Sequence, residues 1–308
     1  MPRLSIVSTL YKSAPYVEEF HRRISKEAKK ITDDYEIIMV DDGSPDDSLA
    51  IALRLVDNDP RLRVVELSRN FGHHKAMMTG MDYARGDLVF LIDIDLEESP
   101  ELLETFYQEM QDKARDVVYG YQERRNGGFL NRYAGKLAWG LITRFYSIQI
   151  PLNQCTVRLM RRDYVKSLLL HKESNTVIGG LWVITGYKQF GIPIKKDWRG
   201  STSYSFSLRF RTFLNGLTSF STAPLMFMVV FGMLVSLISL VFGIYVMVQK
   251  FVHNIAAGWA SIMVSIWFLG GSIIFCMGII GIYIARIFME TKNRPYTIVR
   301  NIHSREKP

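Results

Sequence analysis

Residues 87–100 read Asp-Leu-Val-Phe-Leu-Ile-Asp-Ile-Asp-Leu-Glu-Glu-Ser-Pro, and this stretch decides the fold. Leu88–Ile92 is an uninterrupted apolar run, too short for a helix and without polar alternation, as in a strand covered on both faces. It ends in four carboxylates within six residues: Asp93, Asp95, Glu97 and Glu98. Comparable short runs lie at Leu4–Ser8, Glu36–Val40, Leu62–Glu66 and Asp116–Tyr119. Helical patterns separate them at Tyr16–Lys30, Ser48–Val56, His73–Ala84 and Pro100–Lys113. Strand–helix alternation predicts an α/β domain on a mostly parallel, Rossmann-like sheet with helices on both faces.

Ligands of such sheets bind at the carboxyl ends of the strands. The polar clusters fall there: Asp41-Asp42-Gly43-Ser44 after the second strand, Ser68-Arg69-Asn70-Phe71-Gly72 after the third, and the acidic cluster after the fourth. No Gly-x-Gly-x-x-Gly follows the first strand and no Walker-type loop occurs, so dinucleotide and P-loop readings lack their key feature. Two cysteines, Cys155 and Cys276, exclude a disulfide scaffold and a four-cysteine zinc site. Alternation sets Asp93, Asp95 and Glu97 on one side of an extended segment. Three hard oxygen ligands there suit Mg²⁺ or Mn²⁺ with positions open for phosphate oxygens. A solvated acidic turn before Pro100 is the competing reading; the place after a buried strand, beside two other polar clusters, favours the metal.

The formal net charge of +8 hides a division. Residues 1–112 hold 13 basic and 23 acidic side chains, and residues 113–308 hold 25 and 7. Thr212–Gln249 and Asn254–Ala285 contain no Lys, Arg, Asp or Glu. A bilayer span needs about 20 apolar residues, so Leu225–Val248 and Ala257–Tyr283 are predicted as a two-helix transmembrane hairpin. Arg209, Arg211, Arg286, Lys292, Arg294 and Arg300 flank its outer ends, which places those ends in the cytoplasm. No cleavable signal precedes Met1–Thr9, so the first domain is expected there too. Two basic stretches with aromatic or aliphatic faces, Leu130–Phe145 and Phe206–Leu217, fit the membrane interface, with ordinary core packing the alternative for the first. Arg124, Arg125, Arg158, Arg161, Arg162 and Arg199 are candidates for phosphate, which guanidinium binds in bidentate fashion. Nucleic acid is not expected, because the basic residues cluster beside the spans.

Together these residues resemble the family-2 glycosyltransferases of the polyprenyl-phosphate type, over nearly the whole chain. The resemblance rests on Val7-Ser8-Thr9-Leu10-Tyr11, Val40–Ser44, Leu67–Gly72, Gly86-Asp87 before the Asp-x-Asp, Arg158-Leu159-Met160, Gly200 with Tyr204-Ser205, the hairpin and the basic tail. It implies a GT-A catalytic domain at 1–203, a juxtamembrane helix at 204–221, transmembrane helices at 222–289 and a basic cytoplasmic tail at 290–308. It also implies a nucleotide-sugar donor, UDP-linked, a polyprenyl phosphate acceptor, Mg²⁺ or Mn²⁺, a bacterial inner-membrane location and a homotetramer. By resemblance, Asp41 and Asp42 hold base or ribose, in a donor pocket with Ser8, Leu10, Tyr11, Arg69, Asn70, Lys75 and Asp93. Asp93, Asp95 and Glu97 hold the metal. Asp93, Asp95, Arg124, Arg132, Arg158 and Arg199 form the catalytic set, the arginines taking acceptor phosphate or leaving group.

Three positions depart from the family pattern. Glu97 stands where an amide is usual, Thr156 where an acidic residue read as a base is common, and Ser203 where Lys is common. A sugar hydroxyl must lose a proton during attack, whereas a phosphate monoester, with a second pKa of about 6, is already an anion near neutrality. Thr156 therefore tilts the acceptor towards a lipid phosphate. The alternatives are transfer to a hydroxyl of a lipid-linked saccharide or other lipid, and a catalytically silent membrane scaffold.

Overall fold

A computed structural model describes residues 3–122, 151, 153–173, 178–196, 223–253 and 258–305. The chain starts with β1 (Leu4–Leu10), α1 (Val17–Ile31), β2 (Tyr35–Asp41), α2 (Ser48–Asn58), β3 (Leu62–Leu67), α3 (His73–Tyr83), β4 (Leu88–Leu91), α4 (Leu102–Met110) and β5 (Val117–Tyr121). These nine elements lie where the hydrophobic runs predict, with ends shifted by up to three residues. Then come β6 (Gln154–Arg161), α5 (Arg162–Leu168), α6 (Ile178–Ile184), β7 (Gln189–Pro193), α7 (Ala223–His253), α8 (Trp259–Thr291) and β8 (Val299–His303).

The eight strands form one mixed sheet in the order β7-β5-β6-β4-β1-β2-β3-β8. Its centre is parallel: β1 pairs with β2 and β4, and β2 with β3. β6 runs antiparallel between β4 and β5, and β7 is parallel to β5. One face carries Leu4, Ile6, Ile37, Met39, Leu62, Val64 and Phe90, all buried, against Phe20 and Ile24 of α1, Ala52 of α2 and Phe106 of α4. The Phe90 and Phe106 rings meet edge to face at 6.2 Å between centroids. α3 covers the other face so closely that a β-carbon on Gly80 would lie 2.5 Å from Val7 Cγ1 and 2.9 Å from Val40 Cγ2.

β8 was expected to be part of a basic tail. It instead pairs antiparallel with β3, Glu66 opposite Asn301. Glu66 draws it in: its carboxylate accepts from Asn301 Nδ2 at 3.0 Å, and His303 Nε2 lies 2.9 Å away. The addition covers an edge of β3 that would otherwise offer unpaired amides.

The chain divides into two compact units, one of residues 1–138, 148–204 and 295–308, the other of 139–147 and 205–294. The first contains the whole sheet. In the second, Phe268–Thr291 of α8 is a 24-residue stretch long and apolar enough to cross a membrane, and Pro224–Ser239 of α7 is a shorter apolar stretch. Large apolar side chains such as Ile274 and Met277 on α8 are exposed. The stretches Leu130–Phe145 and 204–221 lie outside the described residues.

Gly86 tests the packing at the amino end of the sheet. A β-carbon there would approach Ser5 N at 2.6 Å and Leu4 C at 2.9 Å, both backbone. Gly86→Ala is expected to destabilise the domain by about 1–3 kcal/mol, read as a lower thermal midpoint of the protein in detergent.

Candidate active site

The site is assembled from the loops that leave β1, β2, β3 and β4 at their carboxyl ends. Asp42, at the end of β2, accepts from Phe71 N at 2.7 Å and Gly72 N at 3.0 Å, tying the β3–α3 loop to β2. Gly43 permits this approach. It has φ +63°, and a β-carbon would lie 2.7 Å from Arg69 C and Asn70 N. Asp41 accepts from Ser44 N at 3.3 Å. Both aspartates are buried. Burial pushes the Asp41 carboxyl up to about 6, against the pull of the Ser44 and Gly43 amides. Asp42 is also raised by burial, against the Phe71 and Gly72 amides.

Asp46 was not foreseen. It accepts from the Ser44 and Ser48 hydroxyls, each at 2.5 Å, and from Ala14 N at 3.1 Å, which locks the β1–α1 loop to the β2–α2 loop. Burial opposes its ionisation, but these donors outweigh it and hold the carboxyl at about 2. A carboxylate flanked by two serines in a turn was the available signal.

The acidic loop after β4 is not extended throughout. Leu96 has φ +58°, a costly conformation for a branched residue, of the kind that clusters at functional sites. Burial nevertheless alternates: Asp93, Asp95 and Glu97 are half-buried while Ile94, Leu96 and Glu98 are buried. Asp93 faces His73, whose Nε2 lies 3.2 Å from Oδ1, and His73 Nδ1 is 3.0 Å from Thr9 Oγ1. Burial raises the Asp93 carboxyl, but His73 and the Thr156 hydroxyl outweigh it and lower it. Asp93 Oδ1 is buried, facing the His73 ring without a further hydrogen bond. Asp95 accepts from Glu97 N at 3.0 Å, and burial raises its carboxyl with help from Asp93 and Glu97.

Glu97 corrects the three-ligand expectation. Its Oε2 is 2.9 Å from Lys196 Nζ, and no group of three His, Cys, Asp or Glu among the described residues could hold a metal. The turn at Leu96 aims Glu97 at the residues after β7. Two carboxylates still fit a divalent ion, because Mg²⁺ is commonly held by one or two carboxylates with substrate phosphates and water. The chemistry of the donor set, two half-buried carboxylates on one loop after a buried strand, supports such a site.

Arg158 is also corrected. It is fully buried, its Nε donates to Thr156 O at 3.2 Å and its Nη2 to Cys155 O at 3.3 Å, and its guanidinium lies over Trp182. Burial pulls its pKa down to about 9. It braces β6 rather than meeting a phosphate in solvent. Arg161 and Arg162 likewise serve backbone carbonyls, those of Met110 and Arg115 for the first and Ala84 for the second. Arg124, Arg125, Arg132 and Arg199 lie outside the described residues.

Of the remaining donor-pocket expectations, Ser8 and Leu10 are buried at the end of β1, with Ser8 Oγ unpartnered, and Tyr11 is 46% exposed. Arg69 and Asn70 are exposed, Arg69 stacking on Phe71 with 4.1 Å to the ring centre. Lys75 sits over Tyr296, 5.1 Å from its ring centre. Sequence reasoning passed over His73 and Lys196; a histidine at a helix start and a lysine three residues past a strand carry no pattern until the fold brings them to the carboxylates.

Residues 5–169 match the family described as Glycosyl transferase family 2. A Mycobacterium tuberculosis (strain CDC 1551 / Oshkosh) protein, named among the glycosyltransferases, is 50% identical over 302 residues, 98% of this chain and 88% of its own. The bactoprenol glucosyl transferase of Shigella phage SfII is 29% identical over 304 residues and 98% of both chains. Among solved structures, mannosyltransferase PcManGT from Pyrobaculum calidifontis, in complex with GDP-Man and Mn²⁺, covers 62% of this chain and 55% of its own at 19% identity, with a TM-score of 0.46.

Asp41 makes a pH prediction. Its folded value of about 6 lies above the ordinary 3.8, so the folded state holds this proton more tightly than the unfolded chain. The stabilisation is full below the unfolded value and is lost as pH rises through about 6. Asp41→Asn removes that loss, so the variant's thermal midpoint relative to wild type should rise between pH 4.5 and pH 7.5. A difference that stays flat across this range would contradict the assignment.

Proposed function

Because the chain belongs to glycosyl transferase family 2, we infer that it moves a sugar from a UDP-linked donor to polyprenyl phosphate at the cytoplasmic face of a bacterial membrane, for the cell envelope. The observation that carries this reading is the Asp93–Asp95 pair: half-buried carboxylates at the strand ends where a parallel sheet receives ligands. The 98% coverage of the phage bactoprenol glucosyl transferase supports the choice of acceptor.

Asp93 and Asp95 would hold Mg²⁺ or Mn²⁺, which when bound neutralises charge on the departing nucleotide diphosphate. Asp41 and the exposed Tyr11, Arg69 and Asn70 would line the nucleoside. Arg124, Arg132 and Arg199 would receive the acceptor phosphate, a task suited to guanidinium. A phosphate oxygen attacks the anomeric carbon as the bond from that carbon to the nucleotide diphosphate breaks, so the configuration inverts in one step. Thr156 gives its hydroxyl to Asp93 and offers no base. Glu98 does not restore one, since its carboxylate is fully buried and takes the amides of Thr156 and Val157 at 3.2 and 2.9 Å. A phosphate acceptor needs no base, so the site favours it over a hydroxyl.

α7 and α8 would form the two-helix membrane hairpin, with both outer ends in the cytoplasm beside Arg209, Arg211, Arg286 and Lys292. This brings a lipid acceptor to the same chain that binds a soluble donor.

The purified protein, incubated with undecaprenyl phosphate, Mn²⁺ or Mg²⁺ and a panel of nucleotide sugars, should yield a lipid-phosphate sugar identifiable by mass. Asp95→Asn should abolish the product while preserving the thermal midpoint. Product formed only on hydroxyl acceptors would replace the acceptor assignment, and near-normal transfer by the variant would remove Asp95 from the site.

A further inference from the structure

A lysine lies within the acidic loop's reach. Lys196 leaves β7 and brings Nζ to 2.9 Å from Glu97 Oε2 and 3.9 Å from Glu98 Oε1. Its side chain is 26% exposed, against 23% for Glu97 and 0% for Glu98, so solvent screens the group weakly. On the other side of the cluster, His73 approaches Asp93. The loop from Asp93 to Glu98 therefore has a cation of its own at Glu97 and an imidazole at Asp93. Burial works against the charge on Lys196, but its hydrogen bond to Glu97 and the field of Glu98 raise its pKa and keep it an ammonium.

Resting on the reading of Asp93 and Asp95 as a divalent-ion site, we propose that Lys196 is the resident counter-cation of that site. It repels the divalent ion when the ion comes alone and attracts the diphosphate that comes with the donor. Even at an effective dielectric of about 20, a unit charge a few ångströms from a divalent ion interacts by several times the thermal energy. The repulsion is offset only when the anionic diphosphate enters with the ion. Lys196 thus makes ion and donor bind as a pair, a positive coupling between two ligands. It also leaves Glu97 neutralised within the chain, which explains why a fourth carboxylate is tolerated beside Asp93, Asp95 and Glu98. The role is one of positioning and affinity, exerted through the carboxylates.

The test measures Mn²⁺ binding to the full chain in detergent, by electron paramagnetic resonance of free Mn²⁺, with and without UDP. Lys196→Met should bind Mn²⁺ alone roughly tenfold tighter than wild type, and the gain that UDP confers on Mn²⁺ affinity should shrink by a similar factor. Lys196→Arg keeps the charge and should behave as wild type. Lys196→Gln serves as a second neutral variant if the methionine variant does not fold. Wild-type or weaker Mn²⁺ affinity in the neutral variants overturns the proposal and leaves the metal reading standing. No Mn²⁺ binding by any of these proteins, with UDP present, overturns the metal reading and this inference with it.

Discussion

Four carboxylates within six residues must be held together at the end of one buried strand, and much of the surrounding structure answers that demand. Each is met by a different partner. Asp93 has His73 and the Thr156 hydroxyl, Asp95 the Glu97 amide, Glu97 the Lys196 ammonium, and Glu98 the amides of Thr156 and Val157. Glu98 is the most constrained, fully buried and pushed up to about 7 by burial and by the charge on Asp93. Its two amides belong to the start of β6, and Arg158 takes two carbonyls of the same segment. A buried carboxylate on the amides and a buried guanidinium on the carbonyls thus grip one stretch of backbone. That grip sets Thr156 against Asp93. Removing either partner would leave an uncompensated buried charge.

The second constraint is geometric. Loops after β2 and β3 touch backbone to backbone at Gly43, and Asp42 fastens them through the amides of Phe71 and Gly72. Asp42 is spent on this architecture, while Asp41 accepts from the amides of its own turn. The same β3–α3 loop and the helix it leads into are fixed from outside by the residues just before β8: Ser68 N donates to Ile298 O at 2.9 Å, and the hydroxyls of Thr79 and Thr297 meet at 2.8 Å. Residues distant in sequence by more than 200 positions therefore shape one loop.

The central sheet was legible because its strands are short apolar runs separated by helical periods, a signal that depends on nearest neighbours along the chain. The strands beyond β5 were not, for physical reasons that differ. β6 begins with Gln154, Cys155 and Thr156, and the polarity of Thr156 reflects contacts with Glu98 and Asp93 rather than a solvent face. β8 carries Arg300, Asn301 and His303, which look like a solvated tail until Glu66 is placed opposite them. At the site, Asp93 and Asp95 were legible as carboxylates after a buried strand. Glu97 was assigned by alternation to a metal; the alternation of burial holds, and the structure adds a partner the sequence did not mark, Lys196. Arg158 was assigned by residue type to phosphate, but its depth in the sheet is a tertiary fact. His73 and Lys196 had no local mark at all.

The charge division along the chain acquires a mechanism from this. The acidic first part cannot bind a diphosphate by itself, because its carboxylates repel phosphate as strongly as they repel each other. The Lys196 ammonium after β7 lowers that repulsion at Glu97, and the His73 ring at the start of α3 meets Asp93. Lys196 comes from the basic second part of the chain, one residue before the segment that leads to the apolar helices. A single residue there meets the acidic loop at Glu97, so that loop's electrostatics are set in part by the basic part of the chain.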